Sequence, residues 1–205
     1  MDDTDFIGLL KWYQKHCNGD WEHRYGLKID TLDNPGWMLI IDLCGTQLGD
    51  HSFEEIDFEQ PDGKWIQCSI ANGQFQGFGG PLNLEGLIKI FLSWNNKYSV
   101  PKNSLDMDDD DLIWIQDWYK SQCDGDWEHQ FGIKVETLDN PGWSIQISIQ
   151  ETELQNKEFQ NISIERIEND WFHCFVRDGK FEGPCGPYNL SEVLKIFREW
   201  VEGCS

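Results

Sequence analysis

Two short segments of the sequence combine a thiol, carboxylates and an imidazole within about one turn of chain. Residues 17–23 read Cys-Asn-Gly-Asp-Trp-Glu-His, and residues 123–129 read Cys-Asp-Gly-Asp-Trp-Glu-His. These groups could serve as metal ligands, but their spacing fits no strong zinc or calcium pattern. The adjacent Glu22 and His23 would also point to opposite faces of a strand. Metal binding is therefore disfavoured, and we expect no cofactor.

The same segments allow three other interpretations. An enzyme could use Cys17 or Cys123 as a nucleophile, or His23 or His129 as a base, if geometry brings a thiol within hydrogen-bond reach of a base. A purely structural turn would have Asp20 accepting backbone N–H bonds while the tryptophan packs. A protein-recognition surface would use tryptophan beside carboxylates to grip lysine or arginine.

A constant offset of 106 residues relates the two segments and extends over two whole modules. It aligns Trp12 with Trp118 and Trp94 with Trp200 without a gap, and roughly 40% of about 90 paired positions are identical. Such self-similarity indicates a tandem duplication of one module. The predicted boundaries are residues 1–98 for the first module, 99–111 for an acidic linker and 112–205 for the second module.

A second shared segment, Thr-Leu-Asp-Asn-Pro-Gly-Trp, is identical at residues 31–37 and 137–143. Turn chemistry explains its Asp-Asn-Pro-Gly core, because proline fixes φ and glycine permits positive φ. If the shared segments instead form a recognition surface, the predicted partner-binding residues are Asp20, Trp21, Glu22, His23, Asp33, Asn34 and Trp37, with their counterparts Asp126, Trp127, Glu128, His129, Asp139, Asn140 and Trp143.

Hydrophobic periodicity predicts the elements of each module. Helical spacing marks an opening helix and a closing helix, at residues 6–17 and from Leu84 in the first copy. Alternation predicts strands between them, including residues 53–59 and 65–71 and their counterparts. The sequence therefore predicts an α+β fold of two similar modules, each an antiparallel meander of about four to five strands flanked by two helices.

The glycine-rich residues 77–81 are interpreted as a turn before the closing helix. They lack the lysine and hydroxyl residue that end a phosphate-binding loop. The sequence also contains no G-x-S-x-G, H-E-x-x-H or C-x-x-C motif. The sequence therefore gives no positive indication of catalysis.

Charge and cysteine usage restrict the environment and the partners. The formal net charge is -21, with an acidic excess in both modules, so phosphate backbones and anionic membranes are repelled while a basic protein is attracted. An acidic surface can also serve solubility alone. The seven cysteines are odd in number, which predicts reduced thiols. The sequence shows no signal-peptide pattern and no long apolar run, so we expect a cytoplasmic protein. Together with the charge, this predicts that it binds neither nucleic acid nor membrane.

The run Trp-Tyr-x3-Cys-x-Gly-Asp-Trp-Glu-His, then Gly-x-Lys, then Thr-Leu-Asp-Asn-Pro-Gly-Trp occurs at residues 12–37 and 118–143. It resembles the immunity protein 53 family of bacterial polymorphic-toxin systems, once in each module. The resemblance implies a cytosolic antidote that binds a cognate toxin and blocks it stoichiometrically, without catalysis. The acidic charge favours a basic toxin such as a nuclease.

A sulfurtransferase-like enzyme is the alternative that some similar proteins suggest. That chemistry needs a catalytic cysteine beside an anion loop and a basic residue. The residues around Cys17 and Cys185 supply no such base, and acidic neighbours raise a thiol pKa. The sequence therefore favours a binding protein.

Overall fold

The computed structural model describes residues 5–59, 64–98 and 110–204, which form four α-helices and ten β-strands. The first module contains α1 (Asp5–His16), β1 (Leu27–Leu32), β2 (Gly36–Asp42), β3 (Ile56–Glu59), β4 (Trp65–Ala71), β5 (Gln74–Gly79) and α2 (Leu84–Tyr98). The second contains α3 (Asp110–Gln122), a 3-10 turn (Trp127–His129), β6 (Ile133–Leu138), β7 (Gly142–Ser148), β8 (Ile162–Ile167), β9 (Asp170–Arg177), β10 (Lys180–Cys185) and α4 (Leu190–Cys204). The predicted α+β class and the repeated, helix-flanked module are confirmed.

The two modules share one continuous sheet with the order β3-β4-β5-β2-β1-β6-β7-β10-β9-β8. The strands that join them are β1 and β6, which pair antiparallel with Ile29 opposite Val135. These two residues are equivalents under the 106-residue offset, so the pairing is symmetric about this point. The duplicated chain is therefore built as a fused dimer, with a pseudo-twofold axis through its central strand pair.

Within each module all strand pairings are antiparallel, but the strands do not follow one another in chain order. The last strand, β5, pairs with both β2 and β4, and β3 is left at the edge. Burial explains this order: β2 and β5 each present a buried side to the core, whereas β3 is mostly exposed. The more polar strand, β3, lies at the edge of the sheet, where its outer backbone groups face water.

The predicted glycine-rich turn at residues 77–81 is wrong in its first half, because Gly77–Gly79 belong to strand β5. The turn that precedes this strand is Asn72-Gly73, whose φ angles are 54° and 74°, the left-handed values of a two-residue hairpin. Gly77 lies beneath helix α2, where an added Cβ would be 3.3 Å from a methyl carbon of Leu87. Glycine at this position lets the helix approach the sheet closely.

Other boundaries move by a few residues. The strand predicted over residues 53–59 begins at Ile56, and its counterpart in the second module spans Ile162–Ile167 rather than residues 159–165. The predicted linker at 99–111 falls mostly outside the described residues, and its last two positions, Asp110 and Asp111, begin helix α3.

The four helices cover one face of the sheet and leave the other face open. Alternate strand residues point into the helical layer, where Leu39, Phe75, Ile145 and Phe181 are fully buried. The intervening residues, such as Lys28, are only partly buried and point to the opposite side. We call this second side the open face. It spans both modules without a break.

Candidate functional site

The first shared segment is a tightly ordered turn after helix α1. Glu22 is 6% exposed, and its carboxylate accepts the backbone N–H groups of Asn18 and Gly19, each at 2.8 Å. The amide oxygen of Asn18 accepts two more, from Asp20 and Trp21, each at 3.0 Å. The structural turn thus relies on Asn18 and Glu22 as acceptors, and not on Asp20 as the sequence suggested.

The carboxyl of Glu22 is held in its charged form by this turn. Burial opposes ionisation, but the surrounding backbone N–H groups outweigh it and hold the pKa of Glu22 below its usual value. The second copy has the same arrangement: Glu128 accepts from Asp124 and Gly125, and Asp124 accepts from Asp126 and Trp127.

Both tryptophans of this segment are buried supports. Trp21 is 5% and Trp127 is 2% exposed, and each indole N–H donates to a carbonyl oxygen at 2.8 Å, that of Cys44 and that of Gln150 respectively. A buried indole with its donor satisfied fixes the turn against the core. These side chains are not available to a partner at the surface.

The second shared segment lies where the two modules meet. The hydroxyl of Thr137 accepts the backbone N–H of Leu27 at 3.1 Å, and the hydroxyl of Thr31 accepts that of Ile133 at the same distance. Gly26 and Gly132 pack against these hydroxyl groups so closely that a Cβ would overlap them. The identity of this segment in both copies therefore follows from a symmetric junction as well as from turn chemistry.

Two tyrosines that the sequence reasoning missed complete the junction. The hydroxyl of Tyr13 donates to Leu138 O at 3.3 Å and accepts from Gly142 N at 3.4 Å. Tyr119 makes the equivalent bonds to Leu32 and Gly36 of the first module, both at 3.3 Å. Their recurrence at one offset was the available signal, but the spacing gives no indication that they reach the other module.

Each junction opens into a cleft on the open face of the sheet. The first cleft, of about 470 Å³, is lined by Glu22, His23, Arg24, Tyr25, Gly26, Leu27, Lys28, Ile40, Asp42, Gln74, Glu136, Thr137 and Asp139. The second cleft, of about 250 Å³, is lined by Asp30, Thr31, Asp33, Glu128, His129, Gln130, Phe131, Gly132, Ile133, Lys134, Gln146, Ser148 and Lys180. Each cleft combines His23 or His129 from one module with Asp139 or Asp33 from the other.

The predicted partner-binding residues thus divide into two groups. Those that are exposed are Asp20, His23, Asp33, Asn34, Asp126, His129, Asp139 and Asn140. Those that are buried are Trp21, Glu22, Trp37, Trp127, Glu128 and Trp143. The two shared segments come together across the module boundary, which the sequence did not indicate.

A strip of four charges separates the clefts. Lys28 lies opposite Glu136 across the β1–β6 pair, and Asp30 lies opposite Lys134. Ion pairs of 2.7 Å join Lys28 to Asp30 and Lys134 to Glu136 within each strand. Opposite charges face each other along the pair and stabilise this register.

The repeated cysteines have protonated, packed thiols. Cys17 donates to the carbonyl of Tyr13 at 3.4 Å, and burial raises the pKa of its thiol to about 11. The same cause raises the pKa of Cys123 to about 11 and those of Cys68 and Cys174 to about 12. A thiol with such a pKa has little thiolate at neutral pH. Within the described ranges, no group of three or more His, Cys, Asp or Glu side chains is placed to hold a metal ion.

Comparison with known protein families gives two matches. Residues 7–96 and residues 112–202 each match the family model described as immunity protein 53. The chain belongs to the immunity protein 53 family. Each half carries one copy of this module, as the repeated motifs predicted, and the family implies a role as an immunity protein against a toxin.

Neither a curated protein nor a solved structure matches the chain. Across residues 5–59, 64–98 and 110–204, the helices are too short or too polar to span a lipid bilayer.

Proposed function

We propose that this tandem immunity protein binds a basic toxin domain, such as a nuclease, in the bacterial cytoplasm and neutralises it by stoichiometric blocking. The observation that carries the proposal is the twofold match to the immunity protein 53 family. The net charge of -21 supports a basic partner, because opposite charges steer association and accelerate it. The same charge disfavours direct binding to nucleic acid or to anionic lipid.

The open face, with its two clefts, is the proposed contact surface. It presents exposed members of both shared segments, including His23, Asp33, His129 and Asp139. Carboxylates at the rim of a cleft suit the lysine and arginine side chains of a basic partner. The buried tryptophans and glutamates of the segments act indirectly, by holding these exposed groups in position.

The two clefts have different charged groups around a common frame. Arg24, Asp42 and Gln74 in the first cleft correspond to Gln130, Ser148 and Lys180 in the second. Asp42 accepts the backbone N–H of Gly26 and the side-chain amide of Gln74, both at 2.9 Å. Each cleft has two lysine or arginine side chains, but the first is larger and is lined by four carboxylates against three in the second, so it is the better site for a cationic side chain.

Thiol-dependent catalysis is disfavoured as the function. The raised pKa of Cys17 and Cys123 leaves little thiolate at neutral pH to act as a nucleophile, and a sulfurtransferase would also need a cationic anion loop. The exposed histidines face carboxylates in wide clefts, an arrangement that suits protein contacts as well as acid–base chemistry.

Co-expression with the toxin encoded by the neighbouring gene tests the proposal. The chain should restore growth and form a complex that weakens as salt rises, because charged contacts are screened. The double variant Asp33→Lys and Asp139→Lys should weaken the complex at least about tenfold, equal to roughly 1.4 kcal/mol. The control Asp117→Lys and Glu199→Lys, which makes the same charge change at exposed positions of helices α3 and α4, should leave it unchanged. A wild-type chain that neither rescues growth nor binds the toxin would disprove the function, and equal loss in both variants would disprove the surface.

A further inference from the structure

The two outer edges of the sheet are formed by equivalent strands. Strand β3 forms one edge and pairs with β4 in continuous register from Ile56 to Glu59. Strand β8 forms the other edge with the same register from Ile162 to Glu165. A regular edge presents unpaired backbone groups in the spacing that an added strand requires. The side chains around each edge therefore decide which of them receives a partner.

A groove of about 760 Å³ runs beside β3, between this edge and helix α2. Its apolar lining includes Phe53, Ile56, Ile90 and two side chains that are unusually exposed for their type. Phe58 is 49% and Tyr98 is 41% exposed. The groove thus offers an apolar surface next to a row of backbone donors and acceptors.

The strand side of this groove is more acidic in the first module than in the second. The exposed residues Glu54, Glu55 and Asp57 correspond to Gln160, Asn161 and Ser163 in the second module, and only Glu59 keeps its charge, as Glu165. The helical wall adds Lys89 and Lys97, but Lys89 is paired with Glu85 and with Asp5. Ser52 and Ser93 of the same lining correspond to Glu158 and Glu199, so the excess of acid in the first module is confined to the edge strand and the residues just before it. Within that segment the first module is the more acidic one.

We propose that the edge of β3 binds an extended segment of a partner protein as an added strand, in which apolar residues alternate with lysine or arginine. Ile56 and Phe58 pair with Cys68 and Ile66 on the helical side, so the segment's side chains on that side enter the apolar groove. Asp57 and Glu59 point to the open face, where the alternate side chains of the segment meet them. Backbone hydrogen bonds between β3 and the segment supply affinity, and the alternation of apolar and basic side chains along the segment supplies specificity.

The identity of the partner rests on the proposed function, which makes the toxin the source of the segment. The edge of β3 and the open face meet at Asp57 and Glu59, so one bound protein can contact both. A competing explanation is that the acids only protect an exposed edge from pairing with other copies of the chain. Neutralising the acids should weaken binding of the segment under the first explanation, and should cause self-association without weakening that binding under the second.

The experiment uses the full chain and an acetylated ten-residue peptide of alternating valine and lysine, at concentrations at which the peptide alone is monomeric. Calorimetry measures affinity, and amide NMR shifts locate the site. We expect saturable binding with shifts at residues 53–59 and 90–98. A peptide of alternating serine and lysine has the same charge and should bind at least about tenfold more weakly, because it cannot fill the groove.

Two sets of variants test the edge. Glu55→Gln with Asp57→Asn, and separately Phe58→Ser, should each weaken peptide binding at least about tenfold, whereas Glu165→Gln at the other edge should not. NMR spectra that retain the wild-type dispersion verify folding. The inference is overturned if the wild-type chain does not bind the peptide, if both peptides bind equally, or if shifts spread over the acidic surface. It is also overturned if the neutralised variant self-associates while still binding the peptide.

The toxin then distinguishes this inference from the proposed function. If the wild-type chain neutralises the toxin and the Phe58→Ser variant does so with equal affinity, the edge is not a toxin site and the inference fails. If the wild-type chain does not neutralise the toxin, the proposed function fails, while localised binding of the valine-lysine peptide still supports the edge as a strand-binding site.

Discussion

The ring of Tyr13 in the first module packs against Trp143 of the second, with centroids 4.9 Å apart and the planes inclined by 60°. The symmetry-related pair, Trp37 and Tyr119, has a separation of 5.0 Å. Each of the four residues is at most 1% exposed to solvent. These pairs make each opening helix part of the other module's core, so the two halves stabilise each other.

Removing one of these hydroxyl groups should destabilise the junction measurably. Tyr13→Phe keeps the ring contact but leaves the backbone N–H of Gly142 without its hydroxyl acceptor, and we expect a loss of about 1 kcal/mol in the free energy of unfolding. Urea denaturation followed by tryptophan fluorescence measures it. Tyr188→Phe, at a side chain that is 61% exposed, is the control and should change stability little. A loss in the control as large as that in Tyr13→Phe would contradict the assigned role.

A methyl group at Gly26 should disturb the junction through Thr137. The new Cβ would overlap the threonine hydroxyl, so Gly26→Ala should destabilise the chain by about 1 to 3 kcal/mol. Thr137→Ala alone should cost about 1 kcal/mol, because it removes the acceptor for Leu27 N. Combining the two should cost less than their sum, since the second change makes room for the first.

Denaturation of the single and double variants gives this coupling. Gly203→Ala, where an added Cβ would meet no neighbour within 4 Å, should be neutral or slightly stabilising and serves as the control. Strictly additive effects of Gly26→Ala and Thr137→Ala would show that the contact between modules does not exist in solution.

The Glu22 carboxylate should make the stability of the chain depend on pH. Its pKa in the folded chain lies below the ordinary value of 4.5, so its contribution is fully present above about that pH and is lost as pH falls through the folded value. Glu22→Gln should therefore lower stability by on the order of 1 kcal/mol at pH 7, with a smaller difference at more acidic pH. Urea titrations at several pH values test this, and Glu153→Gln at an exposed position should show no such trend. A wild-type advantage that grows on acidification would refute the assignment.

Cysteine reactivity should separate exposed from packed thiols. Cys44 is exposed, whereas Cys68, Cys174 and Cys185 are buried. A disulfide reagent added to the native chain at pH 7 should modify Cys44 rapidly, and Cys44→Ser should abolish this part of the reaction. Cys17 should react slowly because burial raises its pKa to about 11. Rapid modification of Cys17 or Cys123 in the Cys44→Ser variant, located by peptide mapping, would revive a nucleophilic role for them.

Local patterns predicted much of each module, and the parts they missed depend on long-range contacts. Leu9 and Tyr13 are four residues apart and lie on the buried side of a helix, as helical periodicity predicts. Ile145 and Ile147 are two residues apart and lie on the buried side of a strand, as strand periodicity predicts. Strand β5 was missed because its glycines suggested a turn. The dipeptides Asn72-Gly73 and Asp178-Gly179 were the correct hairpin signal.

The candidate site was harder to predict than the fold. Comparison of the two copies identified the shared segments as candidates. It could not show that they meet across a pair of strands from different modules. Glu22 illustrates the difficulty: an acidic residue beside an exposed histidine suggests a surface role, yet its carboxylate is buried under backbone N–H groups. Distance along the chain carries no information about the contact of Tyr13 with Gly142, which lies 129 residues away.

Joining both halves of a symmetric assembly in one polypeptide removes a constraint that binds separate identical subunits. In a homodimer every substitution appears twice, so a change that helps at one end must be tolerated at the other. Here Asp57 and Ser163 occupy equivalent positions but are encoded independently. The fused chain can therefore keep its central junction symmetric while its two ends evolve toward different tasks.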